Sequence, residues 1–346
     1  MENNRVLLGM SGGIDSSVAA VLLKHWGYEP VGVSFILCNN SDSVAGAKLV
    51  TQRLEIEHHF YDASERFKQT VIQYFFDEYL SGRTPNPCVR CNQLIKWPLL
   101  FSLARNYDCH FVATGHYAQK FQVGDNNLLR KAFDRQKDQT HFLWGITSND
   151  LNKILFPLGN LTKNTIISIA QNHSIRLDKK QKSSVGLCFV ESDYRSTIKK
   201  LAEQTKTDIQ PGVFYDIHGN WLGRHKGIAF YTVGQNKGLG LNLNRRFFVH
   251  SIDAKTNAIV LSDFKSLMKD KLILENFRLH LPVDDGKTEV EVRVRYRGKS
   301  TTGTVIQHGD LLHIKLSSPE WGIAPGQSVS LYHGDILVGG GFIVDE

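Results

Sequence analysis

Cys88 and Cys91 stand three apart in Asn86-Pro87-Cys88-Val89-Arg90-Cys91-Asn92, in a chain whose other cysteines are Cys38, Cys109 and Cys188. Thiols at that spacing can hold a metal, cycle as a redox pair, pack as a structural pair or handle sulfur. A four-thiolate zinc site needs a second close pair, and the sequence has none. A thioredoxin-type pair needs a strand–helix context that these flanks lack. A residue before proline is biased away from helix, so Asn86-Pro87 predicts an extended loop here. Cys38 and Cys109 flank apolar strand-like runs and read as small buried hydrophobes.

The second chemical signal is Gly9-Met10-Ser11-Gly12-Gly13-Ile14-Asp15-Ser16-Ser17. Glycines let backbone N–H groups approach an anion without interference from Cβ, and a helix N-terminus favours phosphate. Ser11, Ser16 and Ser17 add hydroxyls. Asp15 repels phosphate unless it helps to hold a cation such as Mg2+. The lysine-bearing spacing of a Walker loop is absent.

These groups need a scaffold. Val6–Met10 and Pro30–Leu37 read as buried strands, with a helix over Ser16–Trp26 between them. His59–Asp62 and Phe111–Ala113 read as further strands, and Ser64–Leu80 and Gln93–Arg105 as helices. This alternation predicts an α/β domain with a parallel sheet, ligands sitting at the carboxyl ends of its strands. After Gln210-Pro211-Gly212 the texture changes to strands and turns. Val213–Ile217 with Trp221–His225 reads as a hairpin, and Phe247–Ile252 with Ile259–Ser262 flank another turn. Val290, Val292, Val294 and Tyr296 alternate with Glu291, Arg293, Arg295 and Arg297, predicting one apolar and one charged strand face. Short strands at Thr304–Gln307, Leu311–Leu316, Ser328–Tyr332 and Leu337–Ile343 predict a small closed barrel. The expected domains are 1–204, 205–268 and 269–346.

The length of 346 residues fits several domains, and the hydrophobic fraction of 41% is that of a soluble globular protein. The net charge of +7 suggests a polyanionic partner such as nucleic acid. The N-terminus lacks the layout of a secretory signal, and no apolar run has the length of a membrane span. The odd, uneven cysteine set is not a secreted disulfide framework, so a reducing cytoplasm is expected.

The loop Ser11–Ser17 resembles the pyrophosphatase-type (PP-loop) motif of enzymes that attach AMP to a carbonyl oxygen. The segments Gly82–Asn92, Ala113–Ala118, Lys137–Leu143, Ser183–Phe189 and Tyr231–Leu241 come in the order seen in bacterial tRNA-uridine 2-sulfurtransferases, the MnmA/TrmU family. The resemblance runs from about residue 5 to Gly339–Ile343. It implies an N-terminal PP-loop domain of the adenine nucleotide alpha hydrolase type, a small mostly-β central domain that contacts tRNA, and a C-terminal β-barrel. It further implies ATP- and Mg2+-dependent thiolation of the wobble uridine of tRNAs for Lys, Glu and Gln. Sulfur would come from a cysteine desulfurase or a sulfur-relay protein, with no membrane partner. Gly9, Met10, Ser11, Gly12, Gly13, Ile14, Asp15, Ser16, Phe35 and Gly115 match the ATP site. Cys188 matches the persulfide carrier, and Cys91 its partner, which closes a disulfide with it. Asn86 and Pro87, with Cys88, match the target-base contact. His116, Lys137, Asp138, Gln139, Arg295, Tyr296 and Gln327 match tRNA contacts. The run Lys179-Lys180-Gln181-Lys182 would favour a thiolate at Cys188 or touch phosphate.

The chain departs from the family at several points. It has Cys88 where the family commonly has Asp, Phe35 in place of methionine, Asn236 in place of arginine, and a shortened segment after Leu37. The extra thiol leaves a second mechanism open, in which Cys88, Cys91 and Cys188 hold a [4Fe–4S] cluster with one iron free to bind sulfide. Two rivals lie further away: an amide- or lysidine-forming enzyme of the same ATP-loop group, and a non-catalytic RNA-binding protein.

Overall fold

The computed structural model describes residues 4–38, 41–124, 126–175, 186–190, 193–242, 246–283 and 288–345, with the side chains of 41–45 left aside. The lysine-rich run 179–182 and residues 183–185 lie outside the described residues. The chain divides into two compact units. The first comprises 1–70, 88–189 and 334–338, and the second 71–87, 190–333 and 339–346.

In the first unit, β1 (Arg5–Gly9), β2 (Glu29–Ile36), β3 (His58–Asp62) and β4 (Phe111–Thr114) are followed by the hairpin β5 (Ala118–Val123) and β6 (Asn126–Lys131), then the short β7 (Ile154–Leu155). The sheet order is β3-β2-β1-β4-β7, and all four pairings are parallel. Val6, Leu7 and Leu8 of β1 are fully buried. That continuous apolar run is what a central parallel strand covered on both faces requires. Each such leucine removed from water is worth ~1.5–3 kcal/mol. The helix Ile14–His25 buries Val18, Ala19, Ala20 and Leu23, and carries Asp15 in its first turn and Lys24 and His25 in its last, complementing its dipole. Gly27 at φ +83° ends it, with the Tyr28 N–H returning to the Leu23 carbonyl at 3.0 Å.

Two local expectations change. The helical stretch from Ser64 to Leu80 contains a π-helical segment, Lys68–Ile72, between the α-helices Ser64–Phe67 and Gln73–Leu80. The stretch around the cysteine pair is not an extended loop. An α-helix runs Pro87–Cys91, passes into a π turn Asn92–Lys96 and continues as the α-helix Trp97–Asn106. Only the residue before a proline is steered away from helix, and proline itself suits the first helical position, where its missing N–H has no partner to lose. Asn86-Pro87 therefore starts the helix instead of extending the chain.

In the second unit, β8 (Gly212–Asp216), β9 (Trp221–His225), β10 (Phe248–Asp253) and β11 (Ala258–Ser262) form a sheet of order β10-β11-β8-β9. Phe214, Val249, Ile259 and Leu261 are its fully buried core. A barrel follows: β12 (Lys269–Leu279), β13 (Glu289–Arg293), β14 (Thr301–His308), β15 (Leu311–Glu320), β16 (Ser328–His333) and β17 (Ile336–Val344). Its order is β12-β15-β14-β13-β16-β17, and β17 returns to β12, with Leu274 opposite Ile343. Closure removes exposed edges. The segment 71–87 joins this unit: Tyr79 stacks on Tyr194 at 4.6 Å, and Arg83 pairs with Glu275 at 3.0 Å. By its contacts the segment 71–87 thus groups with residues far later in the sequence.

Candidate functional site

The glycine–serine loop sits at the carboxyl end of β1, where ligands of parallel sheets bind. Gly13 caps the helix Ile14–His25 in extended conformation, and Gly12 takes φ +72°, which disfavours a side chain. The loop is braced from within. Ser16 Oγ donates to the Gly13 carbonyl (3.1 Å) and accepts from the Ser11 N–H (3.2 Å), and Ser17 Oγ donates to the same carbonyl (2.9 Å). Met10 is fixed by β2: its N–H reaches the Val33 carbonyl, and its own carbonyl accepts from Ser34 Oγ at 2.8 Å. Ser11 is exposed, whereas Ser16 and Ser17 are buried. Gly115, just past β4, lies against the first helical turn, where a Cβ would come within 2.9 Å of the Ser16 nitrogen. Phe35, late in β2, meets Tyr61 edge-on at 6.3 Å.

Asp15 has two partners that sequence reasoning missed. Its Oδ1 accepts from Tyr117 Oη at 2.7 Å and from Lys163 Nζ at 2.5 Å. Burial and the neighbouring Asp15 charge both push the Tyr117 hydroxyl up, so it remains a donor. Lys163 opens the helix Lys163–Asn172, and its backbone N–H is held by Asp134 Oδ2 at 3.0 Å. A single carboxylate acting with nucleotide phosphates is the donor set Mg2+ takes, and Asp15 fits that role.

The thiols fall into three environments. Cys91 is buried, and burial pushes its thiol up to about 11. Cys88 is half-buried and also pushed up by burial. Cys188 is exposed and drawn down to about 7, first by a hydrogen bond with the Cys38 side chain, then by Lys96 and the N–H groups of Cys188 and Phe189 against opposing desolvation. Lys96 is the last residue of the π turn Asn92–Lys96, and its charge acts on Cys88, Cys91 and Cys188 alike. Helical phase alone gives no sign of this, because the π turn shifts Lys96 relative to an α-helical count. Cys109 is buried as expected. Cys38 is not a core hydrophobe: it is half-buried, with its Sγ 3.9 Å from the Cys188 carbonyl oxygen. Among the described residues no group of three His, Cys, Asp or Glu side chains could hold a metal ion. Cys88, Cys91 and Cys188, the ligands of the alternative iron–sulfur mechanism, do not form such a group.

The residues matched to RNA contacts divide. His116 Nδ1 lies 2.8 Å from Thr114 Oγ1, and burial, helped by Lys96, lowers its imidazole to about 3, so it is neutral at physiological pH. Asp138 is buried and does not face outward; its Oδ1 takes the Ala132 N–H at 3.0 Å and the Thr140 hydroxyl at 2.9 Å. Gln139 likewise braces Tyr117, its Oε1 accepting the Tyr117 N–H at 3.0 Å. Both side chains are spent on the fold, and Lys137 beside them is half-buried.

In the second unit the strand expected to run through Tyr296 stops at Arg293. A turn closes there, with the Gly298 N–H on the Arg295 carbonyl at 3.0 Å. Arg293, Arg295 and Arg297 therefore do not form one charged strand face. Arg295 lays its guanidinium 4.0 Å from the Trp321 ring centre, with Glu320 at 3.9 Å. Tyr296 sits half-buried in the turn. Gln327 Nε2 donates to the carbonyls of Thr84 (3.0 Å) and Pro85 (3.2 Å), the two residues before Asn86.

A parallel sheet with a phosphate-type loop and clustered thiols, followed by a small β sheet and a closed barrel, defines a multidomain nucleotide-binding protein. Three family models match in order: the tRNA methyl transferase HUP domain over 4–192, the tRNA methyl transferase PRC-barrel domain over 199–263, and the aminomethyltransferase beta-barrel domain over 269–343. The chain is 40% identical to tRNA-specific 2-thiouridylase MnmA 2 of Phocaeicola vulgatus, over 99% of this chain and 98% of that protein. It is 41% identical to MnmA 1 of Bacteroides fragilis and 38% identical to MnmA of Clostridioides difficile, each over the same shares. The chain belongs to the MnmA family of tRNA-specific 2-thiouridylases.

Proposed function

We propose that this protein thiolates C2 of the wobble uridine in tRNAs for Lys, Glu and Gln, in the cytoplasm, by adenylation followed by sulfur transfer from a cysteine persulfide. The Ser11 hydroxyl, the backbone N–H groups of Gly12–Ile14 and the N-terminus of the helix Ile14–His25 bind the phosphates of ATP. Asp15, oriented by Tyr117 and Lys163, would hold Mg2+, which would offset phosphate charge. The uridine O2 attacks the α-phosphorus, and pyrophosphate leaves. This converts a poor leaving group into AMP.

A cysteine desulfurase or sulfur-relay protein first delivers a sulfur to Cys188, the exposed thiol and the one most thiolate-like near neutral pH. The terminal sulfur of that persulfide attacks C2, and AMP departs with the former carbonyl oxygen. Cys91 then attacks Cys188 Sγ. The bond from Cys188 to the transferred sulfur breaks, 2-thiouridine is released, and a Cys91–Cys188 disulfide forms. An external dithiol reduces it. Asn86-Pro87 and Cys88 contact the target base. His116, Lys137, Arg295 and Tyr296 contact tRNA directly, while Asp138, Gln139 and Gln327 act by shaping their segments.

The observation that carries this reading is that one compact unit contains both the phosphate loop and two thiols under the common influence of Lys96. The test follows pyrophosphate release. It should require tRNA, and Asp15→Ala should abolish it. Equal release by that variant would refute the loop's role.

A further inference from the structure

Cys38 has no part in the mechanism above, yet it is the thiol that meets Cys188. It stands two residues past the end of β2, its Sγ 3.9 Å from the Cys188 carbonyl oxygen. Cys91 is buried, Cys38 half-buried and Cys188 exposed. After sulfur transfer the disulfide therefore lies on the least accessible thiol of the group, while a free thiol waits beside Cys188.

We propose that Cys38 is a third thiol of the reaction, which takes the disulfide over from Cys91. The inference rests on the persulfide reading above. The Cys38 thiol loses its proton and attacks Cys188 Sγ. The Cys91–Cys188 bond breaks, a Cys38–Cys188 bond forms, and Cys91 leaves as a thiolate that takes up a proton. The exchange involves no net oxidation, because Cys38 is oxidised as Cys91 is reduced. A thiol held beside Cys188 competes at high effective concentration against any bimolecular reductant. The external dithiol then completes turnover on the Cys38–Cys188 pair, freeing both thiols.

Peptide mapping tests this on the whole protein. Persulfide-loaded protein is given ATP and tRNA transcript for one turnover without reductant, quenched in acid, alkylated and mapped unreduced. Lys48, Arg83, Arg90, Lys96 and Lys182 separate Cys38, Cys88, Cys91 and Cys188 onto different tryptic peptides. The expected species is the peptide pair linked through Cys38 and Cys188, and in Cys38→Ser it should be replaced by the Cys91–Cys188 pair. Wild-type protein carrying only Cys91–Cys188 would overturn the inference while leaving the relay intact. Thiolated tRNA with no disulfide at Cys188 would overturn the relay and this inference together.

Discussion

The carboxylate of Asp15 meets the ammonium of Lys163 at 2.5 Å although 148 residues separate them. The pair ties the first turn of the helix after the phosphate loop to the start of the helix Lys163–Asn172. Both side chains are partly exposed, so the ion pair adds only ~0–1 kcal/mol to stability. Its effect is on aim. Lys163→Met should lower tRNA-dependent pyrophosphate release about 10²-fold through misplacement of Asp15. Thermal melting should change little. An unchanged rate would assign Lys163 to the surface.

Gly115 has no room for a side chain. A Cβ there would approach backbone atoms at 2.9 and 3.0 Å. Gly115→Ala must displace the first turn of the helix, at a cost of about 1–3 kcal/mol, or roughly 5- to 150-fold in Kd for an ATP analogue. Calorimetric titration checks this, and wild-type affinity would remove Gly115 from the nucleotide site.

Gly326 and Gln327 hold the segment that leads into Asn86-Pro87. Gly326 has φ +85°, and a Cβ on it would lie 2.9 Å from the Thr84 oxygen. Gly326→Ala should destabilise the protein by about 1–3 kcal/mol in urea unfolding. Gln327→Ala leaves the Thr84 and Pro85 carbonyls without their amide donor, a loss of about 1 kcal/mol that should weaken tRNA binding about fivefold. ATP binding without tRNA should be unchanged. A change in ATP affinity instead would contradict this assignment.

Cys188 and Cys91 should separate by pH. With Cys188 near 7 and Cys91 near 11, alkylation of Cys188 should rise to half its maximum at about pH 7, while Cys91 stays unreactive until strongly alkaline solution. Lys96→Met removes a cation that lowers Cys188, so its profile should move to higher pH. Mass spectrometry of labelled peptides reads both. Coincident profiles for the two thiols would contradict the environments described.

What the sequence revealed and what it hid follow one physical line. The loop Gly9–Ser17 was legible because its chemistry is local: a buried strand, glycines, hydroxyls and a helix start lie within one short run. The barrel was legible from alternation, as in Val290, Val292 and Val294, all of which are buried. The segment Asn86–Asn92 was misjudged because the two effects of a proline, on itself and on the residue before it, point opposite ways. Long-range pairs left no local trace. Asp15–Lys163 and Cys38–Cys188, the latter 150 residues apart, exist only through the fold. Asp138 matches a tRNA contact of the family by sequence, and its carboxylate serves buried N–H and O–H groups.

ATP-dependent sulfur transfer to a tRNA uridine through Cys91 and Cys188 is read by mass analysis of nucleosides from tRNA incubated with protein, ATP and a persulfide donor. Wild-type protein should yield 2-thiouridine at the wobble position, and Cys91→Ser and Cys188→Ser should each yield none while still binding ATP. Full thiolation by Cys91→Ser would contradict the account.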